Sequence, residues 1–280
     1  MKVSRAKRLL PLALCAVLLT RCSCDFFGTT GALLISEEDE SKLGLEFNQQ
    51  LRDSAAAYPI YKAVTPDQIA FEAYVKGLAQ EILAHVPAKE KPGYDFTFTI
   101  IDQDIENAFA VPGGYVYIYT GIIKKMKNEA ELTGVLGHEI AHVTQHHYRD
   151  AMAKQAGLSL ILQALLGNDA GQLTQLIAAN FAGLVSMKVS QGNESEADFY
   201  GTKYTANVNR NPLGIATFFA RFPGGGGPGA WFSTHPAPKT RVADVTDEVN
   251  ESASLKALAA DSTLNYTDRF LANTKVIPKE

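Results

Sequence analysis

The sequence predicts a mainly helical α+β fold with a small antiparallel sheet set beside one central helix, and three observations carry that reading. Apolar residues recur at three- and four-residue steps through much of the chain, the spacing of amphipathic helices. Two short runs, "FTFTII" and "YVYIYT", alternate apolar and polar or aromatic residues between Pro/Gly breaks and read as strands. Just after them comes "GVLGHEIAHVTQHHYRD", with four of the chain's six histidines inside ten residues.

The first residues differ from the rest. A basic start, "MKVSRAKR", precedes the apolar run "LLPLALCAVLLT" and then "RCSC", the layout of a secretory signal over residues 1–24. The apolar run is too short to span a bilayer as a mature helix. A cysteine at its end resembles a lipoprotein signal, so Cys22 or Cys24 is the expected point of an N-terminal lipid anchor to a membrane. The three cysteines, Cys15, Cys22 and Cys24, all fall here, which leaves the expected single domain of residues 25–280 without an internal disulfide. Of 26 basic residues, Lys2, Arg5, Lys7, Arg8 and Arg21 also fall here, so against 30 acidic groups the body is acidic. With no basic stripe, nucleic acid is excluded as a partner.

Two amphipathic helices follow, over "SEEDESKLGLEFNQQL" and "PDQIAFEAYVKGLAQEILAHV"; Ile69, Tyr74, Leu78, Ile82 and Leu83 mark the apolar positions of the second. Pro92-Gly93 ends the pattern. In "FTFTII", Phe96, Phe98 and Ile100 alternate with Thr97 and Thr99; "NAFAVPGG" then leads through the turn Pro112-Gly113-Gly114 to "YVYIYT". The two runs are expected to pair antiparallel. Asn128 with Glu131 three residues on starts a capped helix through "ELTGVLGHEIAHVTQHH". From 155 to 187 an apolar region, broken by Gln163, Gly167, Asn168, Asp169 and Gln172, fits a helical hairpin that covers the cleft, faces a membrane or packs in the core. Another helix is expected around "ESEADFYGTKYTANV", and "FPGGGGPGAWFSTHP" reads as a loop. The last thirty residues show no clear period.

Inside a helix, residues i and i+4 share a face, so His138 and His142 can point two imidazoles at one ion, with Glu139 about 100° round beside it. That is the H-E-x-x-H zinc arrangement. A catalytic zinc takes three protein ligands and keeps a fourth position for water. A third His ten residues after the first is ruled out, because Tyr148 stands there. His146 drifts about 80° around a continuing helix and His147 lies on its opposite face, so both read as surface or outer-layer groups. The remaining solution is a carboxylate from a later helix. Between His142 and residue 193 the only acids are Asp150 and Asp169; then "NESEADFYG" supplies Glu194, Glu196 and Asp198. Glu194 can ligate zinc while Asp198, one turn along, accepts the free ring N–H of a ligating His. Glu196 points elsewhere, toward the surface.

"GHEIAH" followed by "ESEAD" resembles the zinc metallopeptidases that include HtpX and the CAAX prenyl proteases, and "LISEEDESKLG", "NAFAVPGGYVYIYTGII" and "STHPAPKTR" are similar to stretches of their cell-envelope members. The resemblance covers about residues 34–245. It implies a zincin-type fold and a gluzincin-type endopeptidase with one Zn2+ per chain, in which Glu194 is the third ligand. The absence of membrane helices like those of HtpX argues against prenylated or membrane-embedded substrates.

The residues support a mechanism. Glu139 is the expected general base for a zinc-activated water. His235, with Arg241 nearby, is the expected donor to the developing oxyanion; alternatively His235 fills the fourth zinc position in a resting state and swings away on the Gly224–Gly227 run. An extended or unfolded polypeptide would add as a strand along "NAFAVPGG", touching Asn107 and Ala108. The expected function is cleavage of misfolded or unassembled cell-envelope proteins, in contact with the outer-membrane assembly machinery. The competing reading is a periplasmic chaperone that holds chains in the same cleft, against which the intact Glu139 counts.

Overall fold

A three-stranded sheet lies between one N-terminal helix and a larger helical layer, and the alternation of its residues explains the arrangement. The computed structural model describes residues 35–149, 151, 189–222, 231–235 and 240–277. The leader expected over 1–24, the hairpin expected over 155–187 and the Gly224–Gly227 run lie outside them. Among the described residues no helix is long and apolar enough to cross a membrane.

Helix α1 (Glu37–Asp53) starts at a capping box in which Ser36 and Asp39 satisfy each other's backbone N–H groups. It buries Leu43, Phe47 and Leu51, spaced four residues apart. Helix α2 (Pro66–His85) starts the same way, with Thr65, Gln68 and Pro66 at its first position. Its buried stripe is Phe71, Val75, Leu78, Ala79 and Ile82. Ile69, expected on that stripe, is 55% exposed, because it stands two residues before Phe71 and so about 160° round the helix from it.

Strands β1 (Thr97–Ile101), β2 (Ala108–Val111) and β3 (Tyr115–Tyr119) form a mixed sheet in the order β1-β3-β2. The expected antiparallel pairing of the two alternating runs is corrected here: β1 runs parallel to β3. "AFAV" is itself a strand, antiparallel to β3, and the chain needs this excursion to return in the direction of β1. Gly113 (φ +80) and Gly114 (φ +86) make the β2–β3 turn; a Cβ on Gly113 would stand 2.6 Å from the Glu40 carbonyl oxygen. Tyr117, Tyr119, Phe109 and Val111 meet Leu43 and Phe47 of α1, whereas Ile118, Ala108 and Ile100 join the main core on the other side.

After a short helix α3 (Thr120–Lys125), helix α4 (Glu129–Thr144) runs through the centre with every residue buried. The Asn128 side chain caps it by accepting from Glu131 N–H. Around α4 pack α5 (Gln191–Asn207), α6 (Gly214–Phe219), a turn of helix α7 (Trp231–Thr234), and α8 (Arg241–Glu251). The end of the chain, where no period was legible, folds as α9 (Ala253–Ala260) and α10 (Thr267–Thr274).

Candidate active site

Helix α4 sets His138 and His142 one turn apart with their Nε2 atoms 3.0 Å from each other. Glycine allows the next helix to reach them. A Cβ on Gly201 of α5 would lie 2.8 Å from His138 N, and one on Gly137 of α4 would lie 3.0 Å from Gly201 O. Glu194, Asp198, Gly201 and Thr205 form one buried stripe of α5, so this close crossing carries both acids to the histidines. Glu194 Oε1 is 3.5 Å from His142 Nε2, and Glu194 Oε2 is 3.6 Å from His138 Nε2. Asp198 Oδ1 is 3.0 Å from His138 Nδ1.

These contacts fix where the ring protons sit. A carboxylate can only accept, so His138 carries its proton on Nδ1 and turns the Nε2 lone pair inward. The second histidine is governed by a residue that the sequence placed elsewhere. Helix α4 ends at Thr144 and His146 takes φ +54, which ends the helical count used to put His147 on the opposite face. His147 turns back instead, its Nδ1 2.9 Å from His142 Nδ1 and its Nε2 3.3 Å from Glu196. Glu196 requires the proton on His147 Nε2, and burial holds His147 below its ordinary pKa, so its Nδ1 accepts from His142 Nδ1–H. His142, pushed down above all by burial, likewise turns an Nε2 lone pair inward. The left-handed His146 is pinned by Glu40, whose Oε2 lies 2.8 Å from its Nδ1 and accepts from Arg149 at 2.7 Å.

His235 closes the group from α7. Its Nδ1 lies 3.0 Å from Glu194 Oε1 and 3.3 Å from His138 Nε2. Burial would lower its pKa, but Glu194 and Glu139 together raise it. Arg241 donates to both oxygens of Asp198 at 2.6 Å and to Glu194 Oε2 at 2.8 Å. Against the cost of burial, Arg241 holds Asp198, and His235 beside it holds Glu194, below their ordinary pKa values. Arg241, expected beside the substrate, is thus turned toward the carboxylates, with 1% of its surface exposed. Glu139 is fully buried, and its Oε1 accepts from Trp231 Nε1 at 3.0 Å.

One ligand atom from each of His138, His142, Glu194 and His235 lies within 4.8 Å of the others. A tetrahedral zinc with bonds of about 2.0 Å separates its ligand atoms by about 3.3 Å, which the observed contacts approach. Inward lone pairs beside an anionic carboxylate repel one another unless a cation sits among them, so the donor set fits one zinc ion. Asn107 and Ala108, expected to touch substrate, sit at the entry to β2, an edge strand of the sheet, and both are buried. The Asn107 side-chain oxygen has no hydrogen-bond partner among the described residues.

The chain is 31% identical over 267 residues to the beta-barrel assembly-enhancing protease of Escherichia coli K12, covering 89% of this chain and 50% of that protein. It is 28% identical over 268 residues to the putative beta-barrel assembly-enhancing protease of Vibrio cholerae, 90% of this chain and 51% of the other. With the metalloprotease LoiP of E. coli K12 it shares 30% identity over 149 residues, 51% of this chain and 59% of LoiP. The chain therefore spans about half the length of the curated relatives it matches. The pattern of peptidase family M48 matches residues 70–249, a stretch that holds all four members of the inward-facing donor set, and the chain belongs to that family.

Proposed function

We propose that the chain is a zinc endopeptidase that cuts extended stretches of misfolded or unassembled cell-envelope proteins. The observation that carries this reading is the convergence of the His138, His142 and Glu194 donors with Glu139 beside them in a buried site. Zinc, when bound, lowers the pKa of water and polarises a scissile carbonyl. Glu139 takes the proton of the attacking water and passes it to the leaving amine nitrogen. His235 Nε2, buried without a hydrogen-bond partner among the described residues, is the group to donate to the carbonyl oxygen as it becomes an oxyanion. The β2 edge at Asn107 and Ala108 would align the peptide backbone.

The four-membered donor set also supports a closed resting state. Were His235 to hold zinc together with His138, His142 and Glu194, its side chain would have to turn aside before water and substrate could reach the site. The same closure favours the second reading, a chaperone that holds chains with little cutting. The relatives named for β-barrel assembly support substrates or partners in outer-membrane assembly. Export through residues 1–24 and lipid attachment at Cys22 or Cys24 complete the proposal; mass spectrometry of the mature N-terminus tests both.

The deciding experiment is cleavage of casein by the zinc-loaded protein beside Glu139→Gln and His235→Ala. Cutting by the parent and not by Glu139→Gln establishes the peptidase. A silent parent with an active His235→Ala identifies a resting state closed by His235. Silence from all three at full zinc occupancy favours the holding function.

A further inference from the structure

We propose that Trp231 is the positioning residue for Glu139, assigning one carboxylate oxygen to a hydrogen bond and leaving the other to take the proton; this rests on the peptidase reading above. The indole N–H meets Glu139 Oε1 at 3.0 Å. Glu139 Oε2 is buried and has no hydrogen-bond partner among the described residues. An indole has one donor and no acceptor, so this contact works in a single direction. It holds the carboxylate plane against rotation and keeps a free lone pair on Oε2, which a base abstracting a proton needs. His235 Nε2, at 3.5 Å from the same Oε1, is too far to replace the indole.

The indole itself is fixed. It stacks on Phe219 at a centroid distance of 5.4 Å and 24°, and meets Phe218 edge-on at 5.9 Å. Its main-chain N–H donates to the Glu106 carbonyl at 2.9 Å, next to Asn107 at the sheet edge. Trp231 has no exposed surface and belongs to the main core cluster. A side-chain swing of His235 leaves this anchor in place, so the base stays oriented whether or not His235 faces the metal. Phenylalanine would occupy much of the same pocket but leave Oε1 unsatisfied.

Tryptophan occurs once in the chain, so biosynthetic replacement by 3-benzothienylalanine exchanges only this N–H for sulfur. The full chain in both forms is loaded with zinc and compared on fluorescein-labelled casein. Expected is a fall in kcat of about tenfold to a hundredfold, with KM and zinc content unchanged. An unchanged kcat, a rise in KM alone, or loss of zinc would each overturn the assignment. The contact is read independently in 1H–15N spectra, where the single indole N–H resonance should move upfield in Glu139→Ala; a resonance that does not move overturns it. If neither the parent nor His235→Ala cuts casein, the peptidase reading fails, and the indole resonance still decides whether Trp231 holds Glu139.

Discussion

The two ends of helix α4 each carry a buried charged cluster, and the clusters are built on opposite rules. At the N-terminal end, Glu129 is fully buried and accepts from Arg210 Nε at 2.9 Å, from Arg269 and from the Tyr74 hydroxyl at 2.9 Å. Arg210 continues to Glu81, and neighbouring Glu131 pairs with Arg221 while accepting from Lys127 N–H. Both carboxylates also face the positive end of the helix dipole. Every carboxylate oxygen there has a partner. At the other end, Glu139 Oε2 and His235 Nε2 have none among the described residues, and the Nε2 lone pairs of His138 and His142 face each other at 3.0 Å. A buried polar group left unsatisfied costs about 1–3 kcal/mol, so a fold keeps such groups only where something else requires them. One cluster ties helices together; the other is kept ready for a metal and a substrate.

That difference separates two kinds of damage. Glu139→Gln preserves shape and should lower turnover about a thousandfold, equivalent to about 4 kcal/mol of barrier, while zinc content and Tm stay at the parent values. A parallel fall in Tm would mean that Glu139 belongs to the scaffold as Glu129 does. Glu129→Ala should do the reverse. It leaves Arg210, whose side chain is 6% exposed, with only Glu81 of its two carboxylate partners and takes the acceptor from the Tyr74 hydroxyl, and is expected to cost about 2 kcal/mol of folding stability in denaturant melts. The remaining folded molecules should still bind zinc one to one. Removal of the metal by a chelator sharpens the same contrast: zinc at a hundredfold excess over its Kd should contribute about 2.7 kcal/mol, seen as a drop in Tm on chelation. That drop should persist in Glu129→Ala and vanish when His138 or His142 is replaced.

Local spacing made half of the site legible. His138, Glu139 and His142 lie within five residues on one helix, and Glu194 and Asp198 share a later one, so helical geometry alone put the two histidines on one face with Glu139 beside them, and the two acids on one face. What spacing cannot show is contact between distant elements. Arg241 reads as a substrate group by its closeness in sequence to His235, yet its partners Asp198 and Glu194 are more than forty residues away. Trp231 meets Glu139 across 92 positions. The sheet was misread for a related reason: alternation identifies strands but not their direction, and "AFAV", too short and apolar to show alternation, hid the strand that makes β1 and β3 parallel. His147 was lost to a single dihedral angle, since nothing in "TQHHY" announces that His146 leaves the helix.

His147 also gives the most discriminating small effect. It links His142 to Glu196, whose side chain is 51% exposed, and so runs from the buried metal site to the surface. If its Nδ1 fixes the tautomer and angle of His142, His147→Ala should weaken zinc binding about tenfold to a hundredfold, measured by competition with a chelator of known affinity. Glutamine, which can still offer an acceptor to His142 Nδ1–H, should recover part of that loss. Glu196→Gln should cost less than His147→Ala, because an exposed partner competes with water for the same hydrogen bond. Equal losses in His147→Ala and His147→Gln, together with a lowered Tm, would instead make His147 a packing residue of the turn that His146 creates, and the fully satisfied pattern of the Glu129 end would then extend to this corner of the site.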